Sequence, residues 1–207
     1  MMKMLKGITA LCAVALATTG SLITVKAATT PTTLTATTPT SPAPTTKSSD
    51  IALQQTGNLM LDSAPDISFG TQNLDVSKTT YTNSTFDSTL HVTNPGFPSG
   101  WAVTLSDTPF TSTGSTTSTT LKGAALSLTD PTLTADDSTN QSTPPTANAS
   151  VDVSSSAALV ADAGLGDGIG AYTGTYASGD ASLYVPAGNI GGSYTSTLTW
   201  TLSDAPA

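Results

Sequence analysis

The clearest indication of the fold in this 207-residue sequence is the stretch Tyr194-Thr-Ser-Thr-Leu198-Thr-Trp200-Thr-Leu202-Ser-Asp-Ala-Pro206. Its even positions carry most of the bulky apolar side chains, whereas every odd position from 195 to 203 is Thr or Ser. Successive side chains of a β-strand point to opposite faces, so this alternation predicts a strand with one apolar, aromatic face and one hydroxylated face. Pro206 has no amide hydrogen to donate, and we expect strand pairing to end there.

The same period-two alternation recurs in five shorter runs upstream. The apolar positions that share a face are Leu90 and Val92; Trp101, Val103 and Leu105; Leu126 and Leu128; Val151 and Val153; and Leu183 and Val185. Clusters of Gly, Pro, Asn, Asp and Ser separate the runs, and the β-branched Thr is abundant. The sequence therefore predicts an all-β fold, an antiparallel β-sandwich or barrel of about seven to ten short strands. A low-complexity patch at 132–150 and a Gly-rich one at 162–170 are predicted to be loops.

Residues 1–27 have the pattern of a secretory signal peptide. Lys3 and Lys6 precede an uncharged stretch, and Val25 and Ala27 offer small residues at the positions that signal peptidase reads. A membrane anchor is the alternative, but Thr, Gly and Ser at 18–21 interrupt a run that is shorter than the ~20 apolar residues of a span. We therefore expect a secreted protein that is cleaved after Ala27 and has no membrane insertion afterwards. Residues 28–49, rich in Thr and Pro, predict a disordered linker before a folded domain at 50–207.

The exported chain is strongly acidic. After residue 27, three Lys oppose fourteen Asp, with no Arg and no Glu, which gives a formal net charge of −11. Such a surface repels nucleic acid, anionic lipid and teichoic acid phosphates, so we expect no nucleic-acid partner. The partner should be a neutral or amphoteric surface, or another protein. Cys12, the sole cysteine, falls within the predicted signal peptide, so no disulfide is expected in the mature domain.

The sequence has no pattern typical of an active site. His91 is the sole histidine, and Thr89 and Thr93 on the same strand face favour a solvated surface over a catalytic triad. Asp162 and Asp167 lack the ligand spacing of an EF-hand. We therefore predict no enzymatic activity, no cofactor and no metal site. A wall hydrolase that uses two of the Asp carboxylates stays as a weaker alternative.

The C-terminal stretch resembles the signature of the WxL domain family of Gram-positive surface proteins. That signature is a tyrosine, three residues, Leu-Thr-Trp-x-Leu, two residues and Ala-Pro, and this sequence matches it from Tyr194 to Pro206. Residues 57–70, GNLMLDSAPDISFG, are similar to the start of such a domain. Gly100-Trp101-Ala-Val103 falls where the family has its first tryptophan motif, and the next Leu is Leu105. The resemblance covers about residues 50–207.

The resemblance implies a protein of the cell surface that attaches to the wall non-covalently through peptidoglycan. It also implies membership of assemblies with other cell-surface proteins of the WxL type. No LPxTG-like sorting signal is present, so we expect the folded domain itself to retain the protein on the cell. The alternative is an interaction subunit or adhesin that associates with the wall indirectly, through another surface protein.

The candidate peptidoglycan-binding residues come from the two tryptophan motifs. They are Trp101, Val103, Tyr194, Leu198, Trp200 and Leu202. Two interpretations of the indoles stay open. Indole faces stack on the apolar faces of sugar rings, and large aromatic side chains also supply much of the buried area of a core.

Overall fold

The alternating runs of the sequence form strands in a computed structural model, which describes residues 48–83, 85–112 and 119–207. These ranges contain sixteen strands and no helix: β1 (Met60–Ser63), β2 (Ile67–Ser68), β3 (Thr79–Thr82), β4 (Thr85–Phe86), β5 (Leu90–Asn94), β6 (Trp101–Asp107), β7 (Thr111–Ser112), β8 (Ala125–Thr129), β9 (Thr132–Ala135), β10 (Thr146–Ala147), β11 (Ser150–Val153), β12 (Ala158–Ala163), β13 (Gly170–Thr175), β14 (Ala181–Val185), β15 (Tyr194–Thr195) and β16 (Leu198–Ser203). All named strand pairs are antiparallel, which confirms the predicted all-β class. The predicted signal peptide (1–27) and nearly all of the predicted linker (28–49) lie outside the described residues.

Three four-stranded sheets build the domain. Sheet 1 has the order β1-β5-β13-β9, sheet 2 the order β10-β12-β6-β16, and sheet 3 the order β11-β8-β14-β3. Two smaller sheets pair β15 with β7 and β2 with β4. β1 lies beside β16 and β9 beside β10, so sheets 1 and 2 meet at both edges as two layers. Sheet 3 adjoins sheet 2 where β11 meets β12 and β6.

The inward faces of these sheets meet in one hydrophobic core. Every apolar residue of the five alternating runs is buried there, from Leu90 on β5 to Val185 on β14. β12 adds Val160, which is fully buried. Burial of apolar surface, worth roughly 25 cal/mol per Å², stabilises a domain that has no cysteine in its described residues. The core predicted from the period-two pattern is thus confirmed.

The strands are more numerous than the sequence predicted, because five of them are two residues long. The prediction of a loop at 132–150 was wrong for β9 and β10, which pair with β13 and β12. Main-chain hydrogen bonds to a neighbouring strand order these polar segments, and such pairing leaves little trace in the side-chain pattern. The loop predicted at 162–170 is shorter, since β12 and β13 enclose residues 164–169.

The C-terminal stretch forms two strands rather than one. β15 pairs with β7, whereas β16 pairs with β6. Between them, the Ser196 hydroxyl donates to the Thr108 carbonyl (2.6 Å) and the Thr197 amide donates to the Thr108 hydroxyl (2.9 Å). These bonds satisfy polar groups where the chain leaves one sheet for the other. The predicted alternation is confirmed along β16, whose even positions are half-buried and whose odd positions are exposed. β16 ends at Ser203, ahead of Pro206.

No helix in the described ranges is long and apolar enough to cross a membrane.

Candidate functional site

Trp101 and Val103, the candidates from the first tryptophan motif, lie in the core. They belong to β6, an interior strand of sheet 2, and are 1% and 0% exposed. The indole nitrogen Nε1 of Trp101 donates to the Gly168 carbonyl oxygen at 3.0 Å. Gly168 has a φ of +62°, and a Cβ at this position would lie 2.6 Å from that nitrogen, so glycine is required for the contact. Neither side chain offers a face to a ligand in this conformation.

Trp200 and Leu202 lie on β16, an edge strand of sheet 2. Trp200 is paired with Leu105 of β6, and Leu202 with Val103, so both side chains lie on the core face of the sheet. Both pack against the core but are half-buried, since β16 has no further strand on its outer side within that sheet. The Nε1 of Trp200 is buried and has no hydrogen-bond partner among the described residues.

Tyr194 and Leu198 line a cleft of about 550 Å³. This volume falls within the range of small-molecule sites in proteins. Core residues such as Leu126, Leu183 and Val185 form the floor of the cleft. Four of the nine Phe and Tyr side chains of the sequence contribute to its lining: Phe69, Tyr81, Phe110 and Tyr194. The structure therefore brings two of the six candidate residues into an aromatic cleft.

Two rim loops border the cleft, residues 69–78 and residues 186–193. The Tyr81 hydroxyl donates to the Asn73 carbonyl of the first loop at 2.8 Å. The Tyr194 hydroxyl donates to the Ile190 carbonyl of the second at 2.9 Å. Asn189 ties the second loop further, because its Nδ2 donates to the Lys122 carbonyl at 3.1 Å. Each rim loop is thus held by one tyrosine of the cleft, which fixes the positions of the rings before any ligand arrives.

The lining of the cleft is nearly uncharged. Asp66 is its one charged side chain among the described residues, and it is exposed. Leu74 and Ile190, one on each rim loop, are 51% and 60% exposed. The cleft therefore combines an apolar floor, aromatic and apolar flanks and a single carboxylate.

Two of the three segments that carry the family resemblance reach this cleft, and the segment around Trp101 does not. Residues 66–70 come from the upstream segment, and residues 194–196 and 198 come from the C-terminal motif. The sequence did not single out Tyr81 or Phe110, because each is a lone aromatic residue in polar surroundings. A lone aromatic residue in a Thr-rich run is equally typical of any strand, so the sequence held no specific signal for them.

A second polar cluster lies around His91 on sheet 1. The His91 Nδ1 is 2.8 Å from an Asp62 carboxylate oxygen, and its Nε2 is 2.8 Å from an Asp136 oxygen. The hydrogen bond with Asp136 raises the pKa of His91, burial opposes the rise, and the hydrogen bond with Asp62 adds to it. This cluster ties β1 and the end of β9 to β5. Within the described part of the chain, no group of three or more His, Cys, Asp or Glu side chains is placed to hold a metal ion.

Comparison with known families places these features in context. A family model described as WxL domain surface cell wall-binding matches residues 13–206, nearly the whole sequence. A search of the curated proteins finds no match to this chain, and a search of the solved structures finds none either. The matched region includes both segments that line the aromatic cleft. This chain therefore belongs to the WxL family of surface proteins that bind the cell wall.

Proposed function

We propose that this protein is secreted to the surface of a Gram-positive cell, where its aromatic cleft binds peptidoglycan non-covalently. The observation that carries the proposal is that residues 66–70 meet residues 194–196 and 198 in one cleft of about 550 Å³. Membership of a wall-binding family supports a ligand in the wall. The cleft supports a ligand of limited size, such as a short glycan or stem-peptide segment.

The chemistry of the cleft favours peptidoglycan over teichoic acid. Aromatic rings such as those of Tyr81 and Tyr194 stack on the apolar faces of sugars while staying partly solvated. Among the described residues, the lining contains no Lys, Arg or His to neutralise the phosphates of a polyanion. Binding to a polyanion depends on such neutralisation, so a teichoic acid backbone gains little in this cleft.

The six candidate residues have different roles in this proposal. Tyr194 and Leu198 contact the ligand, since they line the cleft. Trp200 and Leu202 hold β16 against the core, while Trp101 and Val103 stabilise the interior of sheet 2. If substitution of one of these last four residues weakens wall binding, the loss is therefore an effect on folding. The function needs no catalytic step.

A pair of tyrosine substitutions tests the cleft. Tyr194→Leu removes an aromatic wall, and we expect it to weaken binding to purified sacculi about tenfold, the usual effect of losing an aromatic anchor. Tyr184→Leu is the matched control, because Tyr184 is exposed and does not line the cleft, whereas its neighbours Leu183 and Val185 do. Binding is measured by depletion of the protein from solution, with thermal unfolding as a check on folding. Equal binding by both variants contradicts the proposal.

A steric variant gives an independent test. A Cβ built at Gly191 has no heavy atom within 4 Å, so Gly191→Phe adds a ring to the cleft lining without a clash at its base. We expect this variant to keep the melting temperature of the wild type and to lose most of its retention on sacculi. Full retention combined with an unchanged melting temperature contradicts binding in the cleft.

A protein ligand is the second candidate, and the exposed apolar side chains of the rim loops favour it. Leu74 and Ile190 present apolar surface of the kind that marks protein contacts. In this case the wall association is indirect and runs through another cell-surface protein. Sacculi stripped of protein and teichoic acid separate the two candidates: retention supports direct binding of peptidoglycan, and complete loss supports a protein partner.

A further inference from the structure

We infer that the cleft selects ligands that carry a primary ammonium group, which binds at Asp66; this inference rests on the proposed function. The described lining of the cleft has one charged group, and this group is a carboxylate. Asp66 directly precedes β2, and β2 leads into the aromatic wall at Phe69. A ligand that stacks on the rings therefore extends within reach of a negative charge.

The backbone of Asp66 is fixed while its own carboxylate stays free. The Asp66 amide donates to the Asp87 carboxylate at 2.7 Å, and the Asp87 amide donates to the Asp66 carbonyl at 3.3 Å. Asp87 also accepts a hydrogen bond from the Ser88 hydroxyl at 3.3 Å. In contrast, no partner is found for the carboxylate of Asp66 among the described residues. The Asp66 carboxylate is therefore available as an acceptor. Its backbone is held in place by Asp87, whose own carboxylate already accepts two hydrogen bonds.

The donors of the cleft are largely committed to bonds inside the protein. The Tyr81 and Tyr194 hydroxyls donate to carbonyls of the rim loops, and the Ser196 hydroxyl donates to the Thr108 carbonyl. The Gln72 amide nitrogen donates to the Phe69 carbonyl at 2.7 Å. These four groups therefore offer a ligand mainly acceptor lone pairs, beside the Asp66 carboxylate, whereas the Ser68 hydroxyl of the lining only accepts a bond and keeps its donor. A ligand rich in donors suits this lining, and an ammonium group, with three donors and a positive charge, suits it best.

Charge excludes the opposite class of ligand. No cation is found among the described residues that line the cleft, so a ligand carboxylate or phosphate meets the Asp66 charge and gains no cationic partner in that lining. Peptidoglycan carries primary amines in two places: on the diamino acid of a stem peptide that is not cross-linked, and on glucosamine that has lost its acetyl group. Glucosamine presents its ammonium on a neutral sugar, whereas a stem peptide carries its ammonium on a side chain and its terminal carboxylate at the end of the backbone. The group that both sources share is a primary ammonium.

The test compares two preparations of sacculi stripped of protein and teichoic acid, one untreated and one with its amines acetylated. We expect acetylation to weaken wild-type binding about three- to fivefold, the range of a partly solvated ion pair. Asp66→Asn should bind both preparations equally, at the level of the wild type on acetylated sacculi. Asp130→Asn is the matched control, because it removes the same charge at an exposed position that does not line the cleft, and should behave as the wild type.

Soluble competitors identify the source of the amine. A stem tetrapeptide with a free side-chain amine and a glucosamine tetramer are each added to wild-type protein on untreated sacculi. Competition by either supports the inference and names the source; competition by neither overturns it. Wild-type affinity in Asp66→Asn, or an equal loss on acetylation in both proteins, also overturns it while leaving wall binding intact. If the wild type does not bind sacculi at all, the proposed function itself is contradicted. This result differs from those that overturn only the role of Asp66.

Discussion

The two tryptophans of this chain lie on adjacent strands of one sheet, yet their surroundings differ in kind. Trp101 is on the interior strand β6, is 1% exposed and donates from Nε1 to the Gly168 carbonyl. Trp200 is on the edge strand β16, is half-buried, and its buried Nε1 has no partner among the described residues. Two similar motifs therefore give different side-chain environments, because the place of a strand in its sheet decides how much of a residue is covered.

A second difference separates both tryptophans from the cleft. The indoles lie on the core face of sheet 2, whereas Tyr194 precedes the point where the chain leaves β15 for β16. That change of sheet divides the C-terminal motif into two structural parts. Residues 194–196 and 198 line the cleft, whereas Trp200 and Leu202 pack against the core.

Trp101→Phe should give the largest loss of stability among single substitutions of this comparison. The variant leaves the Gly168 carbonyl without its donor and opens space in a close-packed core. We expect a cost of about 2–4 kcal/mol in the free energy of unfolding. Denaturant unfolding followed by circular dichroism measures it. A loss below about 1 kcal/mol would contradict the view that the indole hydrogen bond anchors the 164–169 loop.

His91→Gln tests how firmly the edge beside Trp200 is held, because the His91 cluster ties β1 to β5 and β1 lies beside β16. The raised pKa of His91 means that its contribution is fully present below the ordinary histidine pKa of 6.5 and is lost as the pH rises through the raised value. The lowered pKa of Asp136 means that its contribution is present above the ordinary value of 3.8.

We therefore expect His91→Gln to be less stable than the wild type by up to about 1 kcal/mol between these two pH values, since the group is partly solvated. The difference should shrink as the solution becomes alkaline. The melting temperature of the variant should lie about 2–4 °C below that of the wild type at pH 5. At pH 9 the two melting temperatures should be almost equal. A deficit of the same size at both pH values would show that the imidazole acts through packing rather than through charge.

The sequence predicted the fold class and most of the core, because apolar and polar residues alternate along strands such as β6, β8 and β14. That local pattern shows which side chains face inward. It failed at β9 and β10, whose strand character comes from main-chain pairing with distant segments. It also missed the break between β15 and β16, since period two continues through Ser196 while the pairing partner changes from β7 to β6.

The candidate site was predicted in part for the same physical reason. Tyr194 and Leu198 were found through their motif, and the cleft they line was not, because its other walls come from residues far away in the sequence. Asp66 lay within the quoted upstream segment, yet nothing local distinguishes it from the other thirteen Asp. What distinguishes Asp66 is its position, because it is the one charged residue among the described residues that line the aromatic cleft.

Trp200→Phe should give the smallest effect on stability. Removing the indole loses some buried apolar area on the half-buried edge strand, but it also removes a buried donor that has no partner. These two changes oppose each other, and we expect a net change of less than about 0.5 kcal/mol, of either sign. The same chemical substitution thus costs several kcal/mol at Trp101 and almost nothing at Trp200. Parallel denaturation curves of the two variants check this; a loss at Trp200 equal to that at Trp101 would mean that its Nε1 donates a hydrogen bond in solution, and that the edge strand is covered there.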